Sequence, residues 1–223
     1  MPIVLFDLDN TLLAGDSDYL WGVFLVEQGI VDGDYYAREN SRFYAEYKAG
    51  TLDIFEFLRF SLRPLRDNDP TLLEQLRDSF VREKIDPIIP EASRRLIARH
   101  REAGDELLII TATNAFVTAP IARRLGIDNL IATEPEVIEG RYTGNVAGEP
   151  CFREGKVNRL KRWLEEHRMD LCDSWFYSDS HNDLPLLEQV DHPVAVDPDE
   201  MLAEHAEARG WRVISLRAGI GPY

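Results

Sequence analysis

The sequence predicts an α/β fold in which a parallel sheet is flanked by helices and a block of helices follows the first strand. Three observations predict it. The apolar run at residues 2–6 is typical of a buried strand, the pattern is helical from about residue 16 to residue 82, and strands alternate with helices after Pro87. We therefore expect one α/β core formed by residues 1–13 and 87–223, interrupted by a helical domain at residues 14–86.

Each element is predicted from apolar spacing and from the Gly and Pro residues between segments. In the inserted block, apolar residues recur every three to four positions and predict helices at residues 19–27, 35–48, 52–62 and 71–83. After Pro87 we expect helices at residues 91–102, 116–125, 155–167, 183–189 and 200–209, and strands at residues 106–110, 174–177, 194–196 and 212–216. Ligands of such sheets bind beyond the carboxyl ends of the strands, so the chemistry is expected there.

The composition is that of a folded, acidic protein. The 223 residues carry 40 acidic and 25 basic side chains, a net charge of −15, and 44% of them are hydrophobic, which is enough for a core. This charge argues against nucleic acid or a membrane surface as partners, since both require a cationic face. No apolar stretch approaches the roughly 20 residues of a membrane span, and the first residues lack a basic leader. With two cysteines, Cys151 and Cys172, we expect reduced thiols in a cytoplasmic protein.

Two carboxylates, Asp7 and Asp9, follow the first predicted strand directly. Residues two apart on an extended backbone project to the same side, so these groups would repel one another unless a cation lay between them. Mg²⁺, which takes oxygen ligands, is the natural cation. The pattern alone is weak, because a strand-end turn with two solvated acids has the same sequence.

Three further features are predicted at the same edge of the sheet. The strand at residues 106–110 is followed by the hydroxyl of Thr111, and Lys156 stands near the start of a helix. The strand at residues 174–177 leads into the polar run Ser178-Asp179-Ser180-His181-Asn182-Asp183. Taken singly, these features are typical of a helix cap, a solvated charge and a polar loop; together and in this order they indicate one site.

With these four motifs the sequence resembles the haloacid dehalogenase (HAD) superfamily phosphatases. It is similar in particular to the phosphoserine-phosphatase-like branch, subfamily IB, whose helical cap follows the first motif. The motifs match as DLDNT at residues 7–11, Thr111, Lys156 and SDSHND at residues 178–183. The resemblance covers the whole core and the position of the cap, and it implies a Rossmann-like core with a helical-bundle cap.

The resemblance implies a catalytic role for four side chains. Asp7 corresponds to the nucleophile that forms an aspartyl-phosphate, and Asp9 to the general acid and then base. Thr111, neighbouring backbone N–H groups including that of Ala112, and Lys156 would bind the phosphoryl oxygens. The second acid, Asp9, points to hydrolysis of a phosphate ester.

The resemblance also implies a Mg²⁺ site. Asp179 corresponds to a direct ligand, together with Asp7 and the backbone carbonyl of Asp9, and Asp183 to an acid that supports the metal or its water. Asn182 falls where the branch has a phosphate-contacting asparagine, although it could equally begin the following helix.

The last motif departs from the family, because Ser178 stands where Gly is usual before Asp179. Small residues suit that turn, so we expect the geometry to be preserved. His181 is a further distinctive residue, and we expect it to face solvent rather than substrate.

Two residues of the cap suggest an amino-bearing substrate. Asp16 matches the position of an acid that meets the substrate ammonium, and Arg59 that of an arginine for the substrate carboxylate. The alternatives are that Asp16 caps a helix and that Arg59 is a solvated charge, with Arg42 or Arg63 available instead. The aromatic residues of the cap are expected to form mostly its own small core, but they also permit a pocket for an imidazole.

We therefore expect a Mg²⁺-dependent phosphomonoesterase for a small phosphorylated amino acid or amino alcohol, such as phosphoserine or histidinol phosphate. The alternatives are phosphoryl transfer to an acceptor alcohol, which the same residues would serve, and a non-catalytic binding or regulatory protein on the same fold. A lipid phosphate has no support, since no hydrophobic anchor is present. The sequence does not indicate an oligomeric state.

Overall fold

A six-stranded parallel sheet forms the centre of the molecule. The computed structural model describes residues 1–217, which contain eight strands: β1 (Ile3–Phe6), β2 (Glu106–Asn114), β3 (Asn129–Thr133), β4 (Pro135–Ile138), β5 (Arg141–Val146), β6 (Trp175–Ser178), β7 (His192–Val196) and β8 (Arg212–Ile214). The sheet has the order β3-β2-β1-β6-β7-β8, and each neighbouring pair is parallel. The predicted α/β class is confirmed.

The first strand lies in the middle of this sheet because its sequence suits a position buried on both faces. All four of its residues are fully buried, and Val4 is paired with Leu107 of β2 on one side and Trp175 of β6 on the other. The chain therefore leaves β1 at the centre of the carboxyl edge, and Asp7 is the first residue beyond it.

Ten helices surround the sheet within residues 1–217. Those of the inserted block are α1 (Ser17–Glu27), α2 (Gly33–Lys48), α3 (Ile54–Ser61), α4 (Arg63–Asp67) and α5 (Pro70–Phe80), and those of the core are α6 (Glu91–Ala103), α7 (Ala115–Leu125), α8 (Glu154–His167), α9 (Leu184–Leu187) and α10 (Glu200–Arg209). Four helices of the block begin with an aspartate whose carboxylate accepts a backbone N–H of the first turn, namely Asp16, Asp32, Asp53 and Asp69. Part of the acidic excess is thus helix capping.

The inserted helices share an apolar core with the sheet. Trp21 and Phe24 of α1 pack with Phe80 of α5, and the ring of Trp21 also lies 5.9 Å from that of Phe116 in α7. A smaller cluster of Tyr36, Phe43 and Phe60 belongs to the block itself. The expectation that the aromatic residues form mainly a separate core is therefore only partly right, and the division at residues 13/14 and 86/87 stays a prediction.

Strand β3, helix α4 and the hairpin of β4 and β5 were not predicted from the sequence. The hairpin turns at Glu139 and Gly140, both with positive φ, as a tight two-residue turn requires. It joins the core to the inserted block, since Tyr142 packs edge-on against Phe116 of the core helix α7 at 5.6 Å and a side chain at Gly144 would meet Arg66 of α4 at 3.3 Å. A Glu-Gly turn is a weaker hairpin signal than Asn-Gly, which explains the omission.

Several boundaries differ from the prediction. Strand β2 continues to Asn114, so Thr111 lies within it rather than after it. The predicted helix at residues 183–189 is only the short α9, and the last strand ends at Ile214. No helix within residues 1–217 combines the length and the apolar character that crossing a membrane requires.

Candidate active site

A cavity lies between the carboxyl edge of the sheet and helices α1 to α3. Its floor is formed by residues that follow β1 or belong to β2 and α8, and its roof by rings and acids of the inserted block. The lining residues are Asp7, Asp9, Asn10, Asp16, Asp18, Tyr19, Asn40, Phe43, Tyr44, Tyr47, Leu52, Ile54, Phe57, Thr111, Ala112, Thr113, Phe152, Lys156, Asn182 and Asp183. The fold thus brings the four predicted motifs to one place, as the parallel topology requires.

Asp7 is buried on the floor of this cavity. One of its oxygens, Oδ1, accepts a hydrogen bond from Lys156 Nζ at 2.7 Å, and Oδ2 accepts one from the Thr11 hydroxyl at 3.2 Å. Burial raises the pKa of Asp7 to about 7, although the ammonium of Lys156 acts in the opposite direction. The carboxylate is oriented by two donors and is poorly solvated, which suits a nucleophile.

Lys156 is held between two carboxylates. Its ammonium lies 2.7 Å from Asp7 and 2.8 Å from Asp183, and Asp183 also accepts a hydrogen bond from Ser178 at 2.7 Å. Burial by itself would lower the pKa of Lys156, but the carboxylates of Asp183 and Asp7 outweigh it and raise that pKa above its ordinary value. Lys156 therefore stays charged, and Ser178 fits the turn as expected.

The close approach of α8 to the floor depends on Gly155. A Cβ at this position would lie 2.1 Å from the carbonyl oxygen of Pro150, so a larger residue would displace the start of the helix that carries Lys156. In the sequence, nothing distinguishes this glycine except its position next to Lys156.

Asp9 faces the cavity from the turn after β1. Its Oδ1 accepts the backbone N–H of Ser17 at 2.6 Å, at the start of α1, and its Oδ2 accepts the hydroxyl of Thr113 at 2.7 Å. Burial raises its pKa to about 6, with a further contribution from Asp16. A carboxyl group with this pKa can exchange a proton near neutral pH, which general acid–base catalysis requires.

The turn that positions Asp9 has a specific backbone. Asn10 adopts a φ of 56°, which asparagine tolerates better than most residues, and its carbonyl accepts a hydrogen bond from Arg217 at 2.6 Å. The hydroxyl of Thr11 then bonds to both Asp7 and Asp179. The DLDNT run thus favours a specific turn and also supplies the two acids. Thr113 and Arg217 support this turn, and no sequence pattern indicated them.

The residues beside Asp7 fit a magnesium ion. Asp7 and Asp179 share the hydroxyl of Thr11, at 3.2 and 3.1 Å, and burial, Asp7 and Asp183 raise the pKa of Asp179 well above its ordinary value. No three His, Cys, Asp or Glu side chains within residues 1–217 converge into a ready-made metal cage. Mg²⁺ commonly uses one or two carboxylates and completes its shell with water and phosphate, so this oxygen-only pair fits it.

Asp183, predicted as a metal-supporting acid, is turned to Lys156 and Ser178. Its negative charge is therefore compensated by the ammonium, and it holds Lys156 in place. Its support of a metal ion or of the water on that ion stays a prediction.

Thr111, Ala112 and Asn182 all line the cavity, as the resemblance implied for phosphate binding. The oxygen of Thr111 accepts the N–H of Thr113 at 3.2 Å, which leaves its own hydrogen free to donate. The amide of Asn182 is engaged by Arg153 through its oxygen and by Ser180 through its nitrogen. The alternative that Asn182 caps the next helix is wrong, because Ser180 caps that turn.

The two cap residues predicted to bind substrate, Asp16 and Arg59, differ in whether they line the cavity. Asp16 lines the cavity and also caps α1 through the N–H of Tyr19, so the capping is confirmed and the contact with a substrate ammonium stays a prediction. Arg59 is exposed and does not line the cavity, because α3 buries Leu58 and Phe60 on its other faces; the expectation that it meets a substrate carboxylate is wrong in this structure.

The two replacement arginines are also outside the cavity. Arg42 is bound by Glu39, Glu46 and Glu56 on the outer surface, and Arg63 is paired with Asp67. Within the described part of the chain, Lys156 is thus the one basic residue that lines the cavity.

His181 does not face solvent, which corrects the expectation. Its side chain is 10% exposed, Nδ1 lies 2.7 Å from the carboxylate of Asp199, and a side chain at Gly50 in the inserted block would lie 3.2 Å from Nε2. Arg153 lies beside it and bonds to the Gly50 carbonyl at 2.5 Å and to Asn182 at 2.9 Å. These contacts join the α2–α3 turn of the block to the core.

Known proteins are similar to this chain in sequence and in fold. The model of the haloacid dehalogenase-like hydrolase family matches residues 4–188, so the chain belongs to that family. It is 43% identical over 219 residues to a histidinol-phosphatase of Neisseria meningitidis, covering 96% of this chain and 99% of that one. It is 32% identical over 217 residues to phosphoserine phosphatase SerB1 of Mycobacterium tuberculosis, covering 95% of this chain and 70% of that one.

Solved structures are also similar to this chain. A Bordetella pertussis protein of unknown function has a TM-score of 0.91 at 45% identity, covering 96% of this chain and 98% of that one. A phospho-aspartyl intermediate analogue of phosphoserine phosphatase, at 19% identity, has the same fold with a TM-score of 0.70 and covers 96% of this chain and 93% of that one. Family and relatives together make this chain an enzyme of the phosphatase type.

Proposed function

We propose that the protein is a Mg²⁺-dependent phosphomonoesterase that forms an aspartyl-phosphate, and that its substrate is a phosphorylated amino alcohol of the histidinol phosphate type. The observation that carries this proposal is that the floor of the cavity and the rest of its lining differ in chemical character. Asp7, Asp9 and Lys156 lie at its floor, whereas acids and aromatic rings, without a basic residue, line the rest of it within the described chain.

In the first step an oxygen of Asp7 attacks phosphorus, and the bond from phosphorus to the ester oxygen of the substrate breaks. The neighbouring carboxylic acid of Asp9 gives its proton to the departing alkoxide, which leaves as an alcohol. The raised pKa of Asp9, about 6, supports its holding this proton before attack. Lys156 opposes the accumulation of negative charge around Asp7, from which it lies 2.7 Å.

In the second step a water molecule attacks phosphorus, and the bond from phosphorus to the Asp7 oxygen breaks. Asp9, now a carboxylate, accepts the proton of that water, which restores both acids and releases inorganic phosphate. The hydrogen bonds from Ser17 and Thr113 hold Asp9 in place through both steps.

Asp7, Asp179 and the backbone carbonyl of Asp9 would hold the metal ion. When bound, Mg²⁺ would supply positive charge for the phosphoryl oxygens and favour the ionised form of Asp7. The hydroxyl of Thr11 holds the side chains of Asp7 and Asp179 close together, since it bonds to both.

The leaving group is selected by the roof of the cavity. Asp16 would attract an ammonium group, and no arginine of the described chain lines this cavity, Arg217 being in an adjoining one where its guanidinium is bonded to Asn10. Burial raises the pKa of both Asp16 and Asp18, so negative charge is already unfavourable at this end of the cavity. A phosphorylated amino acid would bring a further carboxylate there, and the acids would repel it. An amino alcohol avoids this repulsion, and the 43% identical histidinol-phosphatase is consistent with it.

The experiment is a comparison of kcat/KM for L-histidinol phosphate, O-phospho-L-serine and glucose 6-phosphate with Mg²⁺ present. The proposal predicts that histidinol phosphate exceeds the other two by at least about 10-fold, since one repelled charge or one missing contact costs roughly 1–3 kcal/mol. Asp16→Asn should reduce that advantage. A clear preference for phosphoserine or for the sugar phosphate would contradict the proposal.

A further inference from the structure

One polar side chain in the roof of the cavity has no role in the chemistry above. Asn40 of α2 is only 9% exposed and lines the cavity, yet within residues 1–217 no group is hydrogen-bonded to its side-chain amide. Its amide atoms are not among the fully enclosed, unpartnered side-chain atoms of residues 1–217, so the amide is open to the cavity. A ligand in the cavity can therefore supply the missing partner.

The packing around Asn40 makes room for its amide. A Cβ on Gly22 of α1 would lie 2.6 Å from the Asn40 amide nitrogen, so alanine at this position would displace the amide. Glycine in the interior of a helix is destabilising relative to alanine. The two helices thus meet in a way that fits an asparagine against a glycine.

An acid lies on the same face of α1. Asp18 precedes Gly22 by four residues, one helical turn, and it also lines the cavity. One of its oxygens accepts a hydrogen bond from Asn114 at 3.3 Å, and the other has no partner among the described residues. Asn40 and Asp18 therefore present an amide and a carboxylate oxygen to the same end of the cavity.

Flat rings flank these polar groups. Phe43 and Tyr44 follow Asn40 by three and four positions on α2, so the three side chains share one face, and Phe57 packs edge-on against Phe43 at 5.3 Å. Aromatic walls with a few polar atoms at the edge are suited to a planar heterocycle. An amide can donate to an unprotonated ring nitrogen or accept from a ring N–H.

From this arrangement we propose that Asn40 and Asp18 form a subsite for a nitrogen-containing aromatic ring of the leaving group, an imidazole in the case of histidinol phosphate. Asn40 contacts one ring nitrogen and Asp18 accepts an N–H from the other. The inference rests on the proposed function, because it assigns the part of the same cavity that distinguishes the alcohol. Asp16 remains the group for the ammonium.

The test compares two substrates that differ in the ring alone, L-histidinol phosphate and L-phenylalaninol phosphate. The measured quantity is the ratio of their kcat/KM values on one enzyme preparation, which is independent of the fraction of folded enzyme. Wild-type enzyme is expected to favour histidinol phosphate, and Asn40→Leu should lower the ratio by about 10-fold. Asp18→Asn should lower it in the same direction.

Controls keep the outcomes distinct. Asn158→Leu makes the same substitution at an exposed residue of α8 and should leave the ratio unchanged. If the leucine variant does not fold, Asn40→Ser removes the amide with less added bulk and is expected to show the same loss. An unchanged ratio in a folded Asn40 variant overturns the subsite even when wild-type enzyme hydrolyses histidinol phosphate. Failure of the wild-type enzyme to hydrolyse histidinol phosphate contradicts the proposed function itself.

Discussion

At the scale of single residues, the active site is an arrangement of buried carboxyl groups around one buried ammonium. Lys156 lies between Asp7 and Asp183, and Thr11 joins Asp7 to Asp179. Each carboxylate is oriented by at least one donor, so little reorganisation is needed when a phosphoryl group arrives. The raised pKa values of Asp7 and Asp9 show the cost of keeping these acids out of water.

Asp9→Asn tests the assignment of the general acid. For histidinol phosphate, whose leaving group is an alkoxide, kcat/KM should fall by about 10²–10⁴-fold, because no proton is available at the departing oxygen. For p-nitrophenyl phosphate the loss should be much smaller, since p-nitrophenoxide leaves without a proton. Equal losses on the two substrates would show that Asp9 acts through position or folding instead.

Lys156→Met tests the buried charge cluster. Removal of the ammonium leaves the carboxylates of Asp7 and Asp183 buried without a cation, and we expect a loss of about 3–5 kcal/mol in the free energy of unfolding at pH 8. The loss should shrink towards pH 5, because the raised pKa of Asp7 allows it to become neutral as the pH falls. Urea unfolding at the two pH values measures this, and a pH-independent loss would contradict the account.

At the scale of secondary-structure elements, two core loops hold the inserted block over the cavity. Arg153 bonds to the Gly50 carbonyl and to Asn182, and its backbone adopts a positive φ of 50° with a ψ of −119°, a combination that is unfavourable for arginine. His181 reaches the same turn while paired with Asp199. These contacts place the α2–α3 turn of the block near residues that approach the phosphate end of the cavity.

Arg153→Ala should therefore impair catalysis as well as stability. The loss of hydrogen bonds from a charged group is worth roughly 1.5–3 kcal/mol, and we expect kcat/KM to fall by about 10-fold as the block closes less completely. Arg162→Ala, which removes an exposed ion pair with Glu149, is the matched control and should have no effect. A drop in melting temperature without a change in kcat/KM would mean that Arg153 serves only the fold.

The elements were predictable from sequence where the periodicity was long and strong. The four longer helices of the inserted block, the parallel core and the order of the four motifs follow from apolar spacing and from the rule that places ligands at the carboxyl edge. The short β3 and the hairpin were missed, since five or six residues with a weak turn signal do not stand out. Arg59 was misplaced because helical position fixes a face only once the packing partners are known.

The roof of the cavity could not be predicted from sequence in the same way. Asn40 and Asp18 belong to helices whose contact depends on Gly22, and no local pattern marks an asparagine that lacks a partner. Thr113 and Arg217 likewise support the site through contacts about 100 and 200 residues distant in sequence. Such long-range contacts are a property of the fold.

At the scale of the whole molecule, the net charge of −15 and the anionic substrate must be reconciled. The overall field repels a phosphate ester, so the positive charge must be local. Lys156 supplies part of this positive charge. The acids around Lys156 would bind a divalent cation, which would supply the rest. Much of the remaining acidic excess caps helices or is exposed on the surface.

Magnesium is accordingly expected to stabilise the folded chain in a pH-dependent way. Ionised Asp7 and Asp179 bind the cation, and their raised pKa values mean that both are more fully ionised at pH 8 than at pH 5. At a concentration 100 times its dissociation constant, the ion should add about 2.7 kcal/mol at pH 8 and clearly less at pH 5. Thermal melting with and without Mg²⁺ measures this, and Asp179→Asn should abolish the difference.

The central claim is that phosphate passes through a covalent bond to Asp7. The most direct measurement is to quench the enzyme during turnover of histidinol phosphate, reduce it with borohydride and map the product by peptide mass spectrometry. An acyl phosphate at Asp7 would be converted to homoserine at that position, and Asp7→Asn should show neither homoserine nor turnover. Full hydrolysis by Asp7→Asn, or turnover with Asp7 unmodified at every quench time, would contradict the account.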